Sequence, residues 1–196
     1  RLVLYETAYG FSELRTYTHV FMIWLGLLLL ATIVLEIAQR QRAFALMAVI
    51  AAVGFGVSLN LLNVDGFIVR QNVALAESGV TLKQSEGRTE ASRYPLDMQY
   101  LTNLSTDAVP ELVAAFQRPD LSAHSKERLG AVLACKAAAY DTLEYRPKWV
   151  SYHLSKARAV QRLQAVSGQL PKLTADESGM VEVQDESFFC FPLMEE

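Results

Sequence analysis

Two long runs without charge constrain this chain more than any other feature. Val20 to Leu35 is almost wholly apolar, with Glu36 the first charged residue, and Ala43 to Leu62 contains no charge at all. A helix rises 1.5 Å per residue, so about 20 residues cross the ~30 Å hydrocarbon core of a bilayer. The first run approaches that length once Thr18, His19, Ile37 and Ala38 are included. Only Gln39-Arg40-Gln41-Arg42 separates the two, which permits nothing longer than a tight antiparallel return. Lipid offers no hydrogen-bond partners, and a helix satisfies its own amides and carbonyls. The competing arrangement, two helices enclosed in a large soluble core, seldom needs so long an uncharged run twice in succession.

The 196 residues carry a formal charge of −3, and their 52% hydrophobic content hides a sharp division. From Asp65 onward charges recur as in an ordinary soluble domain. Neither strong basicity nor strong acidity points to nucleic acid, so the expected partners are the lipid bilayer and other transmembrane helices of the same or another protein. Arg1 rather than an initiator methionine opens the sequence, which reads as starting within a longer protein. No signal peptide is recognisable, because a polar, aromatic-rich lead precedes the first apolar run.

The pattern predicts an all-α membrane protein, a two-helix transmembrane hairpin followed by a small antiparallel helical bundle, with a possible short β segment in the tail. Residues 1–17 read as an interfacial lead-in rich in aromatic rings, including Tyr5, Tyr9, Phe11 and Tyr17. Gly10 suggests a break and Ser12-Glu13 a cap with favourable first-turn charge. Residues 18–62 form the hairpin, 63–167 a membrane-proximal helical domain, and 168–196 an acidic, aromatic-containing tail. On the second span Ala48, Ala52, Gly56 and Asn60 recur at steps of four, which predicts a small-residue packing seam. Glu36 precedes Arg40 by one helical turn, the order that favours an ion pair.

Within the third region, Asn63-Val64-Asp65-Gly66 reads as a turn and cap before a helix from Phe67 to Ser78. Val80 to Tyr94 reads as a long loop. Leu96, Tyr100, Leu101 and Leu104 mark a short helix. Ser105-Thr106-Asp107 caps another with Pro110 in its first turn, and Pro119 stops it. Ser122 or Ser125 begins the next, with Leu129, Val132, Leu133 and Lys136 on one face. After the break at Pro147, Ser151 to Val166 gives a last helix with Leu154, Ala157, Val160, Leu163 and Ala165 inward. Cys135 and Cys190 lie in unlike contexts and are expected as two buried thiols rather than a bridge.

Leu4-Tyr5 with Ala8-Tyr9-Gly10-Phe11 and Arg15, Leu59-Asn60 with Asn63, Asp65, Ile68 and Asn72, and Asp97 with Tyr100-Leu101, Leu104-Ser105, Asp107 to Pro110 and Leu112 form a further pattern. It resembles the C-terminal part of bacterial multi-pass membrane proteins described as a domain of unknown function, groups four-one-five-three and four-one-seven-three. Trp149, Leu154-Ser155, Ala157-Arg158-Ala159 and Leu163 extend the resemblance to about residue 165. It implies a larger protein of the bacterial cytoplasmic membrane with spans ahead of Arg1, and brings no established reaction. Val64 stands where that pattern tends to have proline, Val80 to Tyr94 looks inserted, and the tail after Gly168 has no counterpart.

No phosphate loop, metal-type cysteine or histidine pair, or nucleophile elbow is present, and His19, His124 and His153 are scattered. No catalytic residue and no cofactor is predicted. The best polar constellation is Asn60, Asn63, Asp65 and Asn72 at the membrane boundary, joined by Asp97, Tyr100 and Asp107. Such a group can bind a cation, position a lipid-linked substrate or act as a general base. Each residue also lies where helix capping wants one. The expectation is a non-catalytic sensor, scaffold or accessory subunit of a membrane assembly; the alternative is a membrane-boundary enzyme or transporter component. Arg40 and Arg42 in the short loop favour an extracytoplasmic domain, against Arg1, Arg15 and Arg70 at the other end.

Overall fold

The computed structural model describes residues 10–78, 82–85, 88–91, 96–141, 153–176, 178–184 and 186–191. The expectations resting on Arg1, Tyr5, Tyr9, Pro147 and Trp149 lie outside the described residues.

The two apolar runs form helices α1 (Glu13–Ile37) and α2 (Phe44–Leu61), joined through a single 3-10 turn at Gln41–Ala43. Both are long and apolar enough to cross a membrane, and neither has a buried residue. The return is made by Gln39 in the left-handed region, at φ 54°, with Arg40 N–H donating to Leu35 O at 2.9 Å. The Glu36 carboxylate accepts from Gln41 Nε2 at 3.0 Å on both oxygens, so the short loop satisfies it without the Arg40 pairing expected from spacing.

Helix α1 packs on α2 through Trp24 and Phe21. Trp24 Nε1 donates to Ser58 Oγ at 3.0 Å, and Phe21 meets Phe55 edge to face at 5.9 Å. A Cβ added at Gly54 would lie 2.1 Å from Trp24 Cη2, so only glycine lets the indole lie against α2. Two residues turn an α-helix by about 200°, so the Gly54-Ser58 seam is on nearly the opposite side from Ala52, Gly56 and Asn60. The expected small-residue face therefore points away from α1. Ala52 and Asn60 are exposed, a Cβ at Gly56 would meet nothing within 4 Å, and Asn60 Nδ2 donates to Gly56 O within its own helix at 2.8 Å.

Beyond Leu62 the chain meets a different environment. Helices α3 (Val64–Ser78), α4 (Met98–Asn103), α5 (Val109–Phe116), α6 (Ala123–Asp141) and α7 (Leu154–Val166) enclose one apolar core. Ile68, Val69, Leu112, Leu129, Val132 and Leu133 are all fully buried in it. Proline in the first turn of α5 costs no hydrogen bond, since that amide has no partner in the helix. Helix α6 is opened by Ser122, whose hydroxyl accepts Ser125 N–H at 3.3 Å, and Glu77 of α3 reaches across to accept Ser122 N–H at 3.0 Å. On α7 the inward stripe is Ala159, Leu163 and Val166, whereas Leu154 is 53% exposed and Ala165 is exposed. The inward set expected from spacing is thus rotated, because the core lies over Ala159.

Two departures from the sequence reading change the fold. Part of the expected loop from Val80 to Tyr94 is an antiparallel hairpin, β1 (Leu82–Ser85) paired with β2 (Arg88–Ala91). Its strands are short and polar, so no apolar alternation announces them. The tail, where a short β segment was expected, forms a second hairpin, β3 (Met180–Val183) with β4 (Glu186–Phe189), turned by Gln184 at φ 52°; the second departure is covalent. Phe188 enters the bundle core, 1% exposed. Cys135 of α6 and Cys190 just past β4 are joined by a disulfide, where the sequence predicted separate thiols. The reason is tertiary: the hairpin folds back across the domain and sets the two Cα atoms 5.8 Å apart, the spacing a disulfide bridges without backbone movement.

Candidate functional site

The junction between hairpin and domain is held by polar side chains. Asn72, buried on α3, pairs with the backbone of Phe11: its Oδ1 accepts Phe11 N–H at 2.7 Å and its Nδ2 donates to Phe11 O at 3.1 Å. Phe11 then packs edge to face on Phe67 at 5.8 Å. Gly10, at φ 78°, makes the turn into this contact, and Arg15 Nη1 closes it on Gly10 O at 2.8 Å. Ser12 occupies the N-cap position of α1 without a side-chain cap bond; the Tyr100 hydroxyl oxygen accepts Glu13 N–H instead, at 3.0 Å. An amide at the helix start, which would otherwise lack an acceptor, is thereby satisfied from α4.

Beside this junction lies a cleft of about 310 Å³ lined by Glu13, Tyr17, Asn60, Asn63, Asp65, Ser105 and Asp107, with Leu59 and Val64 as its apolar wall. Asp65 is buried in the first turn of α3, and its Oδ2 accepts both the N–H of Ser105, at 3.1 Å, and the Ser105 hydroxyl. The Glu13 and Asp65 carboxyl groups line this same cleft. Asn63 spans two elements: its Oδ1 accepts Gly66 N–H at 2.9 Å, and its Nδ2 donates to Asp107 O at 3.0 Å. A Cβ at Gly66 would lie 2.8 Å from Asn63 Nδ2 and 2.9 Å from Glu111 Cγ, so glycine allows this close crossing.

Behind the cleft sits Lys136 of α6. It is buried, and its Nζ donates to the carbonyls of Leu104 at 2.7 Å and Thr102 at 3.0 Å. These carbonyls end α4, where an ammonium satisfies acceptors that the helix leaves open. Burial pushes the Lys136 ammonium down to about 8, against the opposing attraction of Asp65. Burial likewise pushes the Tyr100 phenol up from its ordinary value, with the Glu13 amide pulling the other way.

The sequence-derived constellation thus divides in two. Asn60, Asn63, Asp65 and Asp107 line the larger cleft. Asn72, Asp97 and Tyr100 line a smaller one of about 120 Å³ beside Phe11, Ser12 and Arg15. Asp97 is a cap, its Oδ1 accepting Tyr100 N–H at 2.8 Å. Asn63 caps α3. Ser105, rather than Asp107, caps the 3-10 turn Thr106–Ala108, accepting Asp107 N–H at 3.2 Å. Glu13, Tyr17, Ser105 and Lys136 were outside the constellation; their signals were present only as a first-turn carboxylate, an aromatic belt residue, a cap and a helix face. Among the described residues no group of three or more His, Cys, Asp or Glu is placed to ligate a metal.

The architecture is that of a helical hairpin of membrane-spanning length fused to a small helical domain. The chain belongs to the family described as Domain of unknown function (DUF4153), whose sequence model matches residues 1–115. That match takes in both long helices and every residue of the two clefts. No curated protein and no solved structure matches the chain.

Proposed function

We propose that this chain is a non-catalytic module of a membrane protein assembly, a sensor, scaffold or accessory subunit whose hairpin is inserted in the bilayer and whose helical domain stands at the boundary. The observation that carries the reading is the open face of α2. The hairpin packs its Gly54 side on Trp24 and leaves Ala52 exposed, with open space where a Gly56 side chain would be. Small residues at helix spacing allow a further helix to approach closely in lipid, where van der Waals packing rather than apolar burial drives association. Alkaline carbonate extraction tests insertion: the protein stays with the membrane pellet, and release into the supernatant would refute the hairpin's role. Native gel electrophoresis of detergent-solubilised membranes tests assembly. Ala52→Leu with Gly56→Leu moves the protein to a smaller particle, and an unchanged particle refutes use of that face.

A second reading, a membrane-boundary enzyme or transporter component, is favoured by the cleft alone. Two carboxylates, Glu13 and Asp65, line one cleft, and two negative charges there attract a cationic group at headgroup level. Under this reading Asp65→Asn, which keeps the Ser105 contacts, abolishes complementation of a deletion strain while particle size and unfolding midpoint stay unchanged. Full complementation by that variant rejects it.

A further inference from the structure

We infer that the helical domain lies on the extracytoplasmic side of the membrane, where Cys135 and Cys190 are oxidised and the bond locks the C-terminal hairpin onto α6. The inference rests on the membrane reading of α1 and α2.

Charge alone leaves the sidedness nearly balanced. Arg40 and Arg42 sit exposed in the short loop, which favours that loop in the cytoplasm. At the other end stand Arg15, which closes on Gly10 O, and Arg70, paired with Glu111 at 2.6 Å. The cysteines decide between the two orientations. They are the only two in the chain, and Cys135 is 1% exposed and Cys190 0%. Their approach is enforced by contacts that involve no sulfur. Phe188 fills the bundle core, Arg128 Nη1 of α6 meets Glu186 Oε2 of β4 at 2.8 Å, and the Gln99 side-chain oxygen of α4 accepts Phe189 N–H at 2.7 Å. The Cys190 N–H is held by Gly179 O at 2.9 Å.

A sulfur pair so placed closes as soon as an oxidant reaches it during folding. Two thiols become one S–S bond, and their two protons and two electrons pass by thiol–disulfide exchange to a disulfide-carrying oxidant, which leaves as a dithiol. Such oxidants act outside the cytoplasm, while the cytosolic thiol pool keeps cysteines reduced. The hairpin return fixes the geometry that follows: the loop at Gln39 to Arg42 and the helical domain lie on opposite sides of the bilayer. The loop bearing Arg40 and Arg42 is then cytoplasmic, in agreement with the charge rule.

The test uses the full-length protein in its own membrane. Cells are acid-quenched, the protein is denatured in detergent, and free thiols are tagged with a polyethylene-glycol maleimide, with and without prior reduction. Reduction should add two tags to the wild type, and Cys135→Ser or Cys190→Ser should each add one tag without reduction. Because the tagging is done on denatured protein, the readout does not depend on either variant folding. Two tags on the wild type without reduction overturn the bond. Sidedness is read separately with a membrane-impermeant maleimide on intact spheroplasts. Lys172→Cys, exposed in the domain, labels at once, and Gln41→Cys labels only after the membrane is opened. The reverse pattern overturns the orientation. Equal labelling of both, together with release by carbonate, instead marks failure of the membrane reading itself.

Discussion

Helices α2 and α6 are nearly equal in length, 18 and 19 residues, yet opposite in what surrounds them. Helix α2 carries no charge and has no buried residue, with Leu46, Val49 and Val53 each about 60% exposed. Helix α6 carries His124, Lys126, Glu127, Arg128 and Lys136, yet Leu129, Val132 and Leu133 are wholly buried. The more apolar helix is the less enclosed. In water that order would be inverted, since apolar area removed from water stabilises by about 25 cal/mol per Å². Helix α6 finds its apolar contacts in its neighbours in the domain, whereas α2, long and apolar enough to cross a membrane, turns its apolar side chains outward.

The sharpest way to break this contrast is a matched pair of truncations. Leu112→Ala removes a fully buried side chain from the domain core and should cost about 2–5 kcal/mol. Leu29→Ala removes one that is 57% exposed on α1 and should stay within about 0.5 kcal/mol. Pulse proteolysis in urea, on protein held in detergent, measures both. Equal losses would mean that α1 is enclosed by further protein, and the contrast between the two regions would fail.

The buried ammonium gives the next largest effect. Lys136 has its pKa in the folded state lowered to about 8 from 10.5, so between these values the unfolded chain binds more protons than the folded one. Stability therefore rises with pH across that window, and below it the folded state bears the full cost of burying the charge. The rise amounts to about 3 kcal/mol at about 1.4 kcal/mol per pH unit. Lys136→Met should remove this slope, although it leaves the Thr102 and Leu104 carbonyls without their donor. Urea midpoints of wild type and variant compared from about pH 8 to about pH 10.5 isolate the Lys136 contribution from other groups titrating there. Identical slopes would place the ammonium in contact with water.

Within the hairpin, two glycines on one helix separate the occupied face from the open one. Gly54→Ala forces Trp24 to move and should cost about 1–3 kcal/mol, through overpacking and loss of the bond to Ser58. Gly56→Ala meets nothing in this chain and, in protein purified free of partner subunits, should be neutral within about 0.5 kcal/mol. The emission maximum of Trp24, read in a Trp149→Phe background, should shift for the first and hold for the second. A shift for Gly56→Ala would show that another helix already lies there.

The two regions were also unequally legible. An uncharged run of helical length is a local signal, so the two long helices and their tight return, from about Thr18 to Leu62, could be read without any long-range contact. In the domain, local chemistry was equally readable: Asp97, Ser105 and Ser122 cap helices where their spacing says they should. What failed was pairing across distance. The disulfide joins residues 55 apart, and no local pattern encodes the fold-back of β3 and β4. The cleft was half legible for the same reason. Asn60, Asn63 and Asp65 are sequence neighbours, whereas Glu13 and Ser105 reach it only because α1 begins beside α3 and the turn before α5 packs over Asp65. Hairpin β1–β2 escaped because Leu82-Lys83-Gln84-Ser85 and Arg88-Thr89-Glu90-Ala91 show no apolar alternation that a period could reveal.

The smallest effect tests the seam between the regions. Asp97 accepts the Tyr100 amide at 2.8 Å and so fixes the start of α4, while the Tyr100 hydroxyl accepts the Glu13 amide at the start of α1. A cap in the domain thereby holds the first turn of a membrane-length helix. Asp97→Ala should cost about 1 kcal/mol, the usual loss for a capping side chain. Asp97→Asn should cost only a few tenths, since an amide oxygen caps nearly as well. Hydrogen exchange at the Glu13 amide reads the transmitted part: it should quicken in Asp97→Ala and stay near wild type in Asp97→Asn. If the asparagine variant were as damaging as alanine, the charge of Asp97 rather than its cap would be what α1 depends on, and the smaller cleft beside Arg15 would become the place to look for a ligand.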